Sequence, residues 1–128
     1  MGLDMFAFAA KAVDVDNNQQ TDLNLENVES VQFCYWRKHH DLHGWMHRLY
    51  QKKGGKSEEF NCNTLRLSAE DLDALEEAVR NNKLPHTEGF FFGNFPPDEE
   101  SMKTDLDFIV EARELINQGY AVFYDSWW

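Results

Sequence analysis

The apolar positions fall into separated blocks, and each change in their period marks a new element. In residues 1–13, Phe6 and Phe8 alternate with smaller side chains at the period of two expected of a strand. From 14 to 29 only Val15, Leu23, Leu25 and Val28 stand out among Asp, Asn and Gln, which predicts a long loop or a short irregular segment. The run SVQFCYW over 30–36 is rich in β-favouring residues and reads as a second strand or as the lead-in to a helix. Over 37–53, Leu42, Trp45, Met46 and Leu49 recur at helical spacing and predict a helix with a core-facing stripe, stopped by Gly54-Gly55. On the same wheel His39, His43, His47, Tyr50 and Trp36 share one flank, expected to be half-exposed and solvated.

Residues 63–67 alternate as a strand, and Ser68 then opens Ser-Ala-Glu-Asp. A hydroxyl residue followed by an acid just before an apolar run is an N-cap signature, because the side chain satisfies a free backbone N–H. Leu72, Leu75 and Val79 supply the buried side of this second helix, which Pro85 and Gly89 close. Gly89-Phe90-Phe91-Phe92-Gly93 predicts a short strand buried on both faces. Pro96-Pro97-Asp98-Glu99-Glu100 opens a third helix with Met102, Leu106, Ile109, Val110 and Ile116 on its buried side. Gly119 ends it, and 120–127 reads as a last strand. The order predicts a single α+β domain over 1–128. Its sheet, mixed or antiparallel, has about four short strands and is backed by three helices.

Composition narrows the function classes. A length of 128 residues suits one core, and 42% hydrophobic content suits a folded one. Twelve Lys and Arg against 23 Asp and Glu give a net charge of −11, which disfavours direct nucleic-acid binding. No apolar run reaches the roughly 18 residues of a membrane span, and the start lacks the pattern of a secretory signal. Phe6 stands where a myristoylation signal wants Ser or Thr. Cys34 and Cys62 form no CxxC pair, so two free thiols in a reducing cytosol are expected. The charge is also uneven. Residues 36–56 hold six basic side chains and one acid (+5), leaving six against 22 (−16) elsewhere.

Candidate chemistry centres on that basic segment. His39, His43 and His47 follow i, i+4, i+8 spacing, and two histidines so placed can share a metal. Gly44 stands where His-Glu-x-x-His needs Glu, and the third histidine lies about 12 Å along the axis from the first. No metal site and no cofactor is therefore expected. His43 is the best general-base candidate, lying nearest the edge of the buried stripe. Arg37 and Lys38 beside Tyr35 and Trp36 suit an anion or a planar base, through bidentate bonding and stacking. Equally, Arg37 can pair with a carboxylate while Trp36 joins the core. The strand at 89–93 matches neither phosphate-loop spacing, and no Gly-x-Ser-x-Gly occurs. Trp127-Trp128 either tucks against the sheet or forms an exposed contact patch.

Several blocks in order carry a resemblance: Met-Gly-Leu-Asp-Met at the start, Tyr35-Trp36-Arg37-Lys38 with Leu42-His43 and Trp45, Leu84-Pro85, the 89–93 strand, and Ser126-Trp127. The chain resembles a family of small, uncharacterised phage and prophage proteins. That resemblance implies a viral origin and a host-cytoplasmic setting, and singles out Trp36, Arg37, Lys38, His43, Trp45 and residues 89–93. The acidic stretch after Val13 and the histidines at 39, 40 and 47 are particular to this chain.

Two functions are consistent with these residues. One is a non-enzymatic phage accessory protein whose acidic surface binds and modulates a host protein. The other is a small-ligand module that binds or processes a nucleotide-like anion with Trp36, Arg37, Lys38 and His43.

Overall fold

Strand β1 (Asp4–Lys11) lies at the centre of the sheet because both of its faces are apolar. Met5 and Ala7, continuing from Leu3, point to one side, and Phe6 and Phe8 to the other. The architecture is taken from a computed structural model that describes residues 3–16, 18–23, 25, 28–37, 39–81, 83–84 and 99–127. The other elements are β2 (Ser30–Arg37), α1 (His40–Lys52), β3 (Leu65–Leu67), α2 (Ala69–Arg80), α3 (Glu99–Asn117) and β4 (Tyr120–Trp127). The strands form one sheet in the order β2-β1-β4-β3, with every neighbouring pair antiparallel. This is the α+β domain that the pattern predicts, and β1, β2 and β4 each run to eight residues.

Segment 30–37 is a strand, not a helical lead-in, and α1 starts only at His40. Its β-branched and aromatic residues pair with β1 from Asp4↔Arg37 to Ala10↔Ser30, with a bulge between Ala7 and Phe8. The bulge lets Phe33 reach α3, where it stacks on Phe108 at 5.7 Å. Helix α2 begins as expected: Ser68 Oγ accepts the Asp71 N–H at 3.2 Å, and Asp71 Oδ2 accepts the Ser68 N–H at 2.9 Å. Gly54 (φ +92°) and Gly119 (φ +95°) follow α1 and α3 in the left-handed conformation that favours glycine.

The helices cover one face of the sheet. Leu3, Met5, Trp36, Leu65, Leu67 and Val122 pack there against Leu42 and Met46 of α1, Leu72 and Leu75 of α2, and Phe108 and Ile109 of α3. Full burial of each such aliphatic side chain stabilises by about 2 kcal/mol. Val110, expected on the buried side of α3, is 56% exposed, because Asp105, Phe108 and Ala112 share that buried side with Ile109.

The long acidic loop has two structural tasks. Leu23, Leu25 and Val28 cover Ala10, Ala121 and Phe123 on the sheet face opposite the helices. Residues 20–22 guard the outer edge of β3: Arg66 N–H donates to Gln20 C=O at 2.9 Å, and Asp22 N–H donates to Thr64 C=O at 2.8 Å. The expected 89–93 strand, Lys38 and Trp128 lie outside the described residues. Among the described residues no helix is long and apolar enough to cross a membrane.

Candidate functional site

The sequence-predicted ligand residues do not share one surface. Trp36 is buried; its Nε1–H donates to Asp105 Oδ1 at 3.1 Å, and its ring meets Phe108 edge-on at 4.9 Å. Arg37, one residue on, is exposed and lies opposite Asp4 in the β1–β2 register. His43 is buried too, and its Nδ1 shares a hydrogen bond at 2.7 Å with the hydroxyl of Tyr124, whose ring also lies 6.5 Å from Trp36.

The histidine flank of α1 lies in the interior, which corrects the expectation of a solvated face. Leu42, His43, Met46 and Tyr50 form the core-facing stripe, rotated by roughly 60° from the one expected, and Asp41 is buried as well. Phe60 causes the rotation. The rings of His43 and His47 both stack on it with centroids at 5.1 Å, and Tyr50 meets it at 4.8 Å. Phe60 adopts φ +48°, a conformation costing a non-glycine residue about 1–2 kcal/mol. Ser126 holds it there: its Oγ–H donates to Phe60 C=O at 3.2 Å while its own C=O accepts Cys62 N–H at 2.7 Å.

Electrostatics follow from that packing. Burial pushes the His43 imidazole down to about 3, with His47 as a smaller cause, so His43 is neutral at pH 7. Burial drives the Tyr124 phenol well above its ordinary value. His39 Nε2 lies 2.8 Å from Asp105 Oδ2, so Trp36 and His39 between them engage both oxygens of a buried carboxylate. Cys34 and Cys62 are free thiols, and burial pushes Cys34 up to about 11, where it is unreactive at neutral pH. Among the described residues no group of three or more His, Cys, Asp or Glu side chains is placed to hold a metal.

The accessible chemistry lies elsewhere, first on the sheet face away from the helices. In antiparallel pairs directly opposed side chains share a face. Phe6↔Tyr35 and Phe6↔Asp125 therefore form a row across β2, β1 and β4, with Phe8↔Phe123 beside it. Phe6 and Tyr35 approach to 5.5 Å, and Phe8 stacks on Phe123 at 5.6 Å. The Tyr35 hydroxyl donates to Asp4 Oδ1 at 2.5 Å. A cleft of about 450 Å³ opens here, lined by Phe6, Phe8, Leu25, Ser30, Gln32 and Asp125. Around it Tyr35 is 48% exposed and Trp127 64%. Burial raises the Asp125 carboxyl above its ordinary value, against a smaller opposing effect of the Ser126 N–H.

A second cleft of about 510 Å³ lies between α1 and α2, lined by Trp45, Arg48, Leu49, Lys52, Glu70, Asp71, Ala74 and Lys83. Here part of the basic segment found in the sequence does gather beside an aromatic ring, although with none of Trp36, Arg37 or His43. Lys53, the neighbouring cation, is committed to Asp71 and donates to Arg66 C=O at 2.7 Å.

No protein-family model matches the chain, and no curated protein or solved structure is significantly similar to it.

Nothing in the sequence singles out Asp125 or Phe6 as a site residue. Period two puts Phe6 and Phe8 on one side of a strand, and Trp127-Trp128 is open to a contact role. Only the register shows that these residues and Asp125 belong to one surface.

Proposed function

We propose that the protein is a non-enzymatic phage accessory factor that works in the host cytoplasm, docking the sheet face opposite its helices on the basic surface of a host protein. One observation carries this reading. Phe6, Tyr35 and Trp127 stand on a sheet face that no helix covers among the described residues, with the carboxylates of Asp4 and Asp125 beside them and Arg37 opposite Asp4. Exposed aromatic rings on a rigid sheet give contact area at little entropic cost, and the charge of −11 favours a basic partner. His43, the general-base candidate, is committed to Tyr124, and Asp105 to Trp36 and His39.

The test is capture from host lysate with the wild type and with the Tyr35→Ser/Trp127→Ser variant. A stoichiometric partner that the variant loses, and whose binding weakens with salt, supports the reading. Capture that ignores the variant, or no capture across several hosts, counts against it.

The α1–α2 cleft favours a second reading, a small-anion module. Arg48 and Lys52 are like charges at i, i+4, a mildly unfavourable spacing that a bound anion would relieve. A nucleotide panel that raises the melting temperature of the wild type but not of Arg48→Ala would support it, and no shift at millimolar ligand would dismiss it.

A further inference from the structure

The other well-placed carboxylates already have side-chain partners. Asp4 accepts from Tyr35, Asp22 accepts from Tyr50 at 2.7 and 2.9 Å, and Asp71 pairs with Lys53. Asp73 and Glu76 pair with Arg113, and Asp105 takes Trp36 and His39. Asp125 differs. It is half-buried at the cleft on the open sheet face, and its hydrogen bond is to the N–H of its own neighbour Ser126, at 2.7 Å. Among the described residues no cation pairs with it. A carboxylate taken partly out of water without a counter-charge costs stability unless a cation arrives from outside.

The surroundings specify which cation. Phe6 and Phe8 present rings, Leu25 closes one side, and Ser30 and Gln32 supply polar groups from β2. An alkyl stem can lie along the apolar walls while a positive head meets the carboxylate and the ring faces. Asp125 Oδ1 is already turned to the backbone N–H of Ser126, leaving Oδ2 for the incoming charge. One oxygen suits a compact ammonium better than a guanidinium, which binds best across two.

We propose that this cleft is a lysine pocket, taking the ammonium group of a basic segment of the partner protein. The inference rests on the docking reading above and names the chemistry that would anchor it. Burial holds the Asp125 carboxyl above its ordinary pKa, and an ammonium seated against it would lower that value again.

The test titrates the full 128-residue chain with a hexalysine peptide, then with hexaarginine, following backbone amide shifts. Hexalysine is expected to move amides around Phe6, Phe8 and Asp125. Affinity is expected to fall about tenfold in Asp125→Asn, the size of one charge-assisted hydrogen bond. Hexaarginine is expected to bind more weakly at the same residues. Asp125→Asn removes a half-buried charge, so a melting curve at or above the wild type is expected and confirms that the variant is folded. Shifts scattered over the acids of α2 and α3 would overturn the pocket, as would equal hexalysine affinity in the folded variant. Partner capture separates the two levels. If capture needs Tyr35 and Trp127 but ignores Asp125→Asn, the pocket falls and the docking face stands. If hexalysine binds at Asp125 while capture ignores the face, the docking reading falls and the pocket stands.

Discussion

His43 Nδ1 and the Tyr124 hydroxyl lie 2.7 Å apart in the core, tying helix α1 to strand β4. Both groups are neutral at pH 7, because burial lowers the imidazole to about 3 and raises the phenol. The bond is thus a hydrogen bond between uncharged partners, and its chief consequence is for stability.

That consequence has a definite sign. His43 is depressed in the folded chain and titrates near its ordinary 6.5 when unfolded, so below 6.5 the unfolded state binds the extra proton. Stability is therefore full above pH 6.5 and falls on acidification towards pH 3, by about 1.4 kcal/mol per pH unit from this residue. Asp125, raised in the folded state, opposes the trend in the acid range. Urea titrations between pH 4.5 and 7.5 check this, with His43→Gln expected to give the flatter dependence. Equal slopes for the two proteins would contradict it.

Asp105 holds β2 to α3 by accepting Trp36 Nε1–H and facing His39 Nε2. Asp105→Ala is expected to cost about 3 kcal/mol, since it leaves a buried indole N–H without an acceptor and opens a small cavity. Urea unfolding measures the loss. A cost below about 1 kcal/mol would show that water replaces the carboxylate readily.

Gly55 lies against the ring of Tyr50, and a Cβ there would run into that ring. Tyr50 cannot easily withdraw: its hydroxyl donates to Asp22 and accepts the Ser57 N–H at 3.0 Å. Gly55→Ala is expected to destabilise by about 1–3 kcal/mol, the range for overpacking a core. Gly54→Ala meets no neighbouring atom and tests backbone strain alone at φ +92°. Thermal melts of both separate the two effects, and an unchanged Gly55→Ala would refute the contact.

Local signals carried much of the fold. The Ser68–Asp71 cap, the Leu72, Leu75 and Val79 stripe and the Gly119 stop were each legible because they depend on residues within one or two turns. The histidine flank was not. Its burial depends on Phe60, which arrives from a loop in a left-handed conformation that an alternation pattern does not reveal. The ligand patch dispersed for a related reason. With β2 running through Arg37, alternation sends Trp36 into the core and Arg37 to the surface, whereas a helix starting at 37 would have kept them closer. Which face of β1 stays open was set by long-range register, and so was the partnership of Phe6 with Asp125.

The central claim is that the sheet face bearing Phe6, Tyr35 and Trp127 docks a basic host protein. Its most direct measurement is the affinity of the captured partner for wild type and for Tyr35→Ser/Trp127→Ser, with melting curves to confirm that both are folded. At least a tenfold loss in the variant is expected, since exposed aromatic anchors carry a large share of such contacts. Equal affinity in a folded variant would contradict the claim.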